Sequence, residues 1–135
     1  VSPLFPFGFG LSYTKFGIKN LRLANKTIRR NGSTRVLVDL SNLGRRAGTE
    51  TVQLYIRDRV SSVTRPVKEL KGFQKVRLEA GETKTVEFEI TFESLAFYDV
   101  DMKYVVEPGE FEIKVGNSSR DADLQTVILT VTNSR

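Results

Sequence analysis

The 135-residue sequence predicts an all-β fold, an antiparallel β-sandwich of about seven strands. Apolar and polar residues alternate along most of the chain, which is the two-residue period of half-buried strands and not the 3.6-residue period of helices. Turn signals that allow a positive φ separate these stretches, at Asn31-Gly32, Asn42-Leu43-Gly44, Ala80-Gly81, Pro108-Gly109 and Gly116-Asn117. The length fits one domain, large enough to bury a core without a disulfide or a metal.

Each predicted strand has one apolar face. In chain order the strands are residues 16–23, 35–41, 51–57, a kinked run over 67–78, 85–91, 110–115 and 124–132. In the fifth of these, for example, we expect Phe88 inside and Glu87 outside. Gly72 interrupts the kinked run and predicts a β-bulge there. The one helical candidate is residues 93–98, between two strands.

The composition removes several kinds of catalytic machinery. The chain has no His, no Cys and no Trp, and a single Met. Without His there is no Ser-His-Asp triad, no histidine general base and no imidazole metal ligand. Without Cys there is no thiol nucleophile, no cysteine zinc site and no disulfide framework. Carboxylate, Lys or Tyr chemistry remains, so the composition favours a binding or scaffolding domain.

The acidic residues do not form a recognisable catalytic or metal-binding pattern. Where two carboxylates catalyse a hydrolysis with retention of configuration, their carboxyl groups lie about 5 Å apart. Most acidic residues here fall on predicted outer faces of strands: Glu87, Glu89, Glu110 and Glu112. Asp99 and Asp101 flank one loop residue, but the rest of the calcium-loop pattern is missing. We expect no catalytic residue, no metal and no cofactor in this chain.

Basic residues outnumber acidic ones by 21 to 16, which gives a formal net charge of +5. They gather at residues 29–30 and 45–46 and in a belt over residues 57–77. A nucleic-acid site is one interpretation, but acidic residues interrupt the belt, and no recognition helix or RNP-type aromatic pattern accompanies it. We therefore expect a solvated or docking surface and no nucleic acid.

The sequence does not indicate a cellular compartment. No apolar run approaches the roughly 18 residues of a membrane span, and no signal-peptide pattern is visible, so we expect no membrane partner. The sequence starts at Val1, from which we expect a chain that is processed or cut from something longer. Asn25, Asn31 and Asn117 match the N-glycosylation acceptor pattern, but turns enrich the same residue types and the matches are weak evidence.

Residues 1–13 differ in composition from the rest of the chain. They contain two Pro, two Gly, three Phe and a Tyr, without one charged side chain. Such a segment is too apolar for a solvated tail and is typical of a contact surface. We expect a linker that packs against a domain outside this chain; the alternative is that its aromatic side chains fold back on the sandwich. The predicted domain itself is residues 14–135.

Three stretches carry a family resemblance. Residues 5–14, Phe-Pro-Phe-Gly-Phe-Gly-Leu-Ser-Tyr-Thr, are similar to the segment that leads from the catalytic part of glycoside hydrolase family 3 enzymes into their C-terminal fibronectin type III-like domain. Residues 65–76, Arg-Pro-Val-Lys-Glu-Leu-Lys-Gly-Phe-Gln-Lys-Val, and residues 107–111, Glu-Pro-Gly-Glu-Phe, resemble that domain's own signature. Matches in the same order span nearly the whole chain.

The resemblance implies an immunoglobulin/fibronectin type III-like sandwich with a non-catalytic role. Members of the family, β-glucosidases and β-xylosidases, hydrolyse terminal β-linked sugars with retention on other domains, so no catalytic residue is carried onto this sequence. The implied partners are the catalytic domains of the same polypeptide, which this domain would pack on and stabilise. This chain alone is then expected to show no glycosidase turnover.

Seven residues are the candidates for that docking: Phe5, Phe7, Phe9, Tyr13, Arg65, Pro66 and Lys68. The aromatic rings offer large apolar area at low entropic cost. The stretch over residues 58–71 is too long and too basic for a plain hairpin, so we expect it to reach another domain. The alternative is a carbohydrate-binding module with exposed aromatics, although the chain lacks Trp, and Tyr55, Tyr98 and Tyr104 fall in or beside predicted strands.

Overall fold

The computed structural model describes residues 15–59, 69–98, 101–117 and 124–133. Within them lie ten strands and one short helix: β1 (Phe16–Leu23), β2 (Thr27–Arg29), β3 (Thr34–Asn42), β4 (Gly48–Asp58), β5 (Glu69–Leu78), β6 (Thr83–Ile90), α1 (Phe92–Leu95), β7 (Phe97–Tyr98), β8 (Tyr104–Val105), β9 (Gly109–Gly116) and β10 (Gln125–Thr132). The seven long strands agree with the predicted ones to within three residues at each end. The predicted all-β class is confirmed.

The strands form two main sheets that pack face to face. One sheet has three strands in the order β1-β3-β6, and the other has five in the order β2-β10-β9-β4-β5. Strands β7 and β8 form a separate two-stranded hairpin. All described pairings are antiparallel except that of β2 with β10, which is parallel. This is the predicted β-sandwich.

The inner faces of both sheets meet in one apolar core. Leu40 of β3 is fully buried from one side, and Val52 of β4 and Ile113 of β9 from the other. Along β6, Phe88 is buried and Glu87 exposed, as the two-residue period predicts. Burial of each large apolar side chain contributes about 1.5–3 kcal/mol to folding. The core therefore forms without covalent cross-links.

Asn42, at the end of β3, is a buried polar residue with its hydrogen-bonding groups satisfied. It is 1% exposed, and its Nδ2 donates to the carbonyls of Arg46 at 2.7 Å and Leu78 at 3.2 Å. The backbone N–H of Gly44 donates to its Oδ1 at 2.9 Å. One side chain thus ties the β3–β4 turn to the end of β5, and it does so in the core where an unpaired amide would be costly.

Short elements account for the differences from prediction. The helix expected over 93–98 begins one residue earlier and stops at Leu95, because Ala96 is extended at φ −76° and ψ 153°. Residues 97 and 98 then form β7 and pair with β8. Strands β2, β7 and β8 were not predicted, since two or three residues are too few to show a period.

Positive φ occurs at two of the predicted turns and at two residues outside them. Gly81 has φ 78° and Gly109 has φ 138°, as their turns allow. Among the described residues, Asn20 (φ 61°) and Met102 (φ 62°) also adopt it. Asn tolerates this conformation, whereas a long side chain such as Met does so at a cost.

Candidate docking surface

All seven predicted docking residues lie outside the part of the chain that the structure describes: Phe5, Phe7, Phe9, Tyr13, Arg65, Pro66 and Lys68. Their role stays a prediction. The flanking residues nevertheless show where their segments join the sandwich. Residues 1–14 precede Lys15, and residues 60–68 connect Arg59 to Glu69.

The two segments join the sandwich at opposite ends. The N–H of Leu43 donates to the carbonyl of Lys15 at 2.6 Å, which places Lys15 beside the β3–β4 turn; we call this the entry end. Strand β4 runs away from that turn, so Arg59 and Glu69 lie at the other end, the far end. The nine residues of β3 span about 30 Å between the ends. The points at which the two segments join the sandwich are therefore about 30 Å apart along the strand direction.

Strand β5 presents two exposed apolar side chains on its outer face. Leu70 is 51% exposed and Phe73 is 60% exposed. The register with β4 shifts between Gly72 and Leu70, so Lys71 is an extra residue in the strand. Because of this bulge, Leu70 and Phe73 share one face although they are three positions apart. The bulge predicted at Gly72 is confirmed.

Two residues of β4 are the cross-strand neighbours of these side chains. Tyr55 pairs with Leu70 and Gln53 pairs with Phe73 across the strands. Tyr55 is only 9% exposed, and its hydroxyl donates to Gln53 Oε1 at 2.8 Å. We call these four residues the β5 patch. The patch combines exposed apolar side chains with a buried Tyr that is fixed by a hydrogen bond, a combination that is typical of contact surfaces.

The open edge of β5 is crossed by side chains. The amide of Gln74 donates to the carbonyl of Glu87 on β6, and Lys84 Nζ lies 3.4 Å from the carbonyl of Arg77. These contacts, together with the lysines of β5, protect the edge against addition of a further strand. A partner is therefore expected on the face of β5 and not along its edge.

Positive side chains border the β5 patch. Lys71 Nζ lies 3.5 Å from a Glu69 carboxylate oxygen, and Arg77 is paired with Glu79. Lys75 is exposed between them. A basic border favours a partner surface with acidic side chains, because complementary charge orients two surfaces as they meet.

The carboxylates on the outer face of the five-stranded sheet are paired with cations. Arg59 lies 2.8 Å from Glu110, and Glu112 lies 3.5 Å from Arg57 and 3.6 Å from Lys114. This ladder matches the prediction that these acidic residues occupy solvent faces. In the described ranges no cluster of three or more acidic side chains is placed to hold a metal ion. Asp99, one of the two loop carboxylates considered above, lies outside those ranges.

A polar cluster on the three-stranded sheet was not visible in the sequence. Asp39 accepts hydrogen bonds from Asn20 Nδ2 at 3.0 Å, Thr85 Oγ1 at 2.9 Å and Arg22 at 3.3 Å. The Asn20 amide is the main cause that holds the pKa of the Asp39 carboxyl below its usual value, followed by Thr85, with Arg22 also contributing. The cluster links β1, β3 and β6, and it depends on the irregular backbone at Asn20.

A groove at the far end was also missed by sequence reasoning. It has a volume of about 290 Å³ and lies between the β2–β3 turn and the α1–β8 region. Its lining residues are Arg30, Asn31, Phe92, Tyr104, Val105 and Val106. The rings of Phe92 and Tyr104 meet edge to face, with centroids 5.6 Å apart and planes at 72°. Residues from four short elements form it, which no local pattern reveals.

The three candidate glycosylation residues, Asn25, Asn31 and Asn117, are all exposed. Asn117 Nδ2 donates to Glu50 Oε2 at 3.0 Å. Exposure is necessary for modification but is usual for turn residues, so it adds little to the sequence evidence.

Of the helices described, none has the length and hydropathy needed to cross a membrane.

Comparison with known proteins places this sandwich in a family. Residues 50–119 match the model of the fibronectin type III-like domain. The chain is 52% identical over 130 residues to a β-xylosidase of Formosa agariphila, covering 96% of this chain and 18% of that protein. It superposes on the crystal structure of a Listeria innocua β-glucosidase with glucose at a TM-score of 0.84 and 42% identity, covering 98% of this chain and 18% of that one. For a Bifidobacterium adolescentis GH3 β-glucosidase the TM-score is 0.79 at 34% identity, covering 94% and 18% of the two chains.

In each of these comparisons the chain spans less than a fifth of the length of the relative it matches. The match covers nearly all of this chain and holds at identities from 34% to 52%. The chain belongs to the fibronectin type III-like domain family, in the form that family 3 β-glucosidases and β-xylosidases carry as an accessory domain.

Proposed function

We propose that this chain is a non-catalytic structural domain of a family 3 glycoside hydrolase, which packs on the catalytic domains of the same polypeptide and stabilises them. That polypeptide hydrolyses terminal β-glycosidic bonds with retention, and this chain alone has no turnover. The proposal continues the expectation from the sequence that residues 1–13 form a linker and residues 14–135 a domain.

The β5 patch is the observation that carries the proposal. Leu70 and Phe73 are each more than half exposed, and the bulge at Lys71 brings them to one face. Two large neighbouring apolar side chains exposed on one strand form an apolar patch, and such patches often mark a surface that a partner covers. The patch begins directly after residues 60–68, which hold Arg65, Pro66 and Lys68. A partner over the patch would therefore lie close to Glu69, where that segment joins β5.

The relatives support a partner within the same polypeptide. The β-xylosidase and β-glucosidases above are each more than five times as long as the region they share with this chain. Interfaces between domains of one chain are commonly smaller and more polar than obligate subunit interfaces. An apolar centre with a border of Lys and Arg fits that description.

Hydrogen exchange tests this function directly. We expect the amides of β5 and of neighbouring β4 to exchange more slowly in the longer polypeptide than in the isolated 135-residue chain, because docking covers them. Amides of β1, on the edge of the other sheet, serve as the internal reference. Equal exchange of β5 in both samples would rule out docking through the patch.

The carbohydrate-binding alternative depends on exposed aromatic rings. Of the tyrosines considered for it, Tyr55 is buried, Tyr104 is 44% exposed, and the side chain of Tyr98 lies outside the described residues. The ring of Tyr104 packs edge to face against the ring of Phe92. One half-exposed Tyr is less than the flat row of rings on which a sugar chain stacks, so we place this alternative second.

A further inference from the structure

The groove at the far end contains a cation that has no partner among the described residues. Arg30 follows β2 and lines the groove beside Asn31. Its Nε is buried and has no hydrogen-bond partner among the described residues, and none of the described ion pairs includes Arg30. Because this Nε is covered, a ligand in the groove would meet the terminal N–H groups of the guanidinium.

Apart from Asn31, the other described residues that line the groove are aromatic or aliphatic. Tyr104 and Phe92 form one wall, with Val105 and Val106 beside them. Met102, in the adjacent turn, is 74% exposed and held at a positive φ. Met and Tyr are side chains that adapt well to a partner surface. The groove thus offers an unpaired guanidinium at one side and aromatic and aliphatic contact at the other.

We propose that this groove receives a carboxylate side chain, Asp or Glu, from the polypeptide segment on which the domain docks. A guanidinium matches a carboxylate with two parallel N–H···O bonds, and this pairing is strong where water is excluded. The Asn31 amide is a second donor at the same rim. An apolar residue next to the carboxylate would contact Tyr104.

This inference rests on the proposed function, since it names a second contact with the same neighbour. The groove lies at the far end, which is also the end that holds Arg59 and Glu69, the residues on either side of residues 60–68. A protein partner is favoured over a sugar because the lining is mainly hydrocarbon with one charged group, whereas a sugar needs several donors and acceptors around it. One neighbour could then reach both the groove and the β5 patch.

The test compares Arg30→Met in two settings. In the isolated chain Arg30 has no partner among the described residues, so its replacement should leave the melting temperature unchanged or raise it. In the longer polypeptide the same change should lower the melting temperature by about 2 °C or more, because it leaves a buried carboxylate unpaired. Arg30→Lys, which keeps the charge but loses the planar fork, should give a smaller decrease.

Arg35→Met is the matched control. Arg35 lies on the outer face of β3, with a side chain 66% exposed and 4.0 Å from Glu87, and it should change both samples equally. Equal effects of Arg30→Met in both settings, or no effect in the longer polypeptide, would overturn the proposal. Arg30-dependent stabilisation of the isolated chain by glucuronate or xylo-oligosaccharides would also overturn it, in favour of a sugar. Serine substitutions in the β5 patch test the docking function separately, so the two failures are distinguishable.

Discussion

Leu70 and Phe73 lie on the same face of β5 although they are three residues apart. In a regular strand such residues point to opposite faces, and Leu70 would point towards the core. The extra residue Lys71 shifts the inward–outward alternation of side chains by one position, so Leu70 pairs with outward-facing Tyr55. The bulge thus leaves half of the Leu70 side chain in solvent, beside Tyr55, which is only 9% exposed. We interpret it as a device for contact with a partner.

Asn42 is expected to be the polar residue on which the entry end depends most. Replacing it with Ala removes hydrogen bonds to Arg46, Gly44 and Leu78 in a buried site. We expect a loss of about 2–3 kcal/mol in the free energy of unfolding, measured by denaturant titration of the chain. Asn117→Ala, which removes one exposed hydrogen bond to Glu50, is the control and should cost less than about 0.5 kcal/mol. Comparable losses for the two variants would show that the Asn42 contacts are not strong.

Asp39 should make the stability of the domain depend on pH in the acid range. Its hydrogen bonds to Asn20, Thr85 and Arg22 lower its pKa in the folded state from the ordinary 3.8. The stabilisation is therefore present above that pH and is lost as the pH falls towards the lower, folded-state pKa.

The variant Asp39→Asn should be less stable than the parent chain at pH 7, and the difference should shrink as the pH falls below 3.8 towards the lowered, folded-state pKa of Asp39. Denaturant unfolding at a series of pH values measures this. Glu89→Gln, an exposed carboxylate on β6, is the control. A constant stability difference between the Asn variant and the parent chain across the series would contradict the assignment.

The isolated chain should not bind neutral oligosaccharides. Its exposed aromatic rings among the described residues are Phe73, on the β5 patch, and Tyr104, beside Phe92. Calorimetric titration with cello- and xylo-oligosaccharides up to millimolar concentration should show no heat of binding. Saturable binding that Tyr104→Ala abolishes would favour the carbohydrate-binding alternative.

The long strands were predictable because each carries its own evidence. Alternation along residues 85–91, for instance, states which side of β6 is buried without reference to any other strand. The groove and the Asp39 cluster were not predictable in this way. Arg30 and Tyr104 are 74 positions apart in the chain, and only the packing of the β2–β3 turn against the α1–β8 region brings them together.

The β5 patch was predictable only in part. Gly72 indicates the bulge in the sequence, but the register with β4 decides which side chains the bulge turns outward. The sequence pattern around Leu70 is therefore that of a core residue, and only the pairing with Tyr55 shows that it faces outward.

The stability of the double variant Leu70→Ser/Phe73→Ser, measured in the isolated chain and in the longer polypeptide, tests the docking claim most directly. In the isolated chain both side chains are already about half exposed, so we expect a loss of about 1–2 kcal/mol in the free energy of unfolding, from the half of each side chain that is buried. In the longer polypeptide docking buries the exposed half as well, so the loss should be larger and the melting temperature should fall by several degrees. A loss in the longer polypeptide no larger than that in the isolated chain would contradict the account.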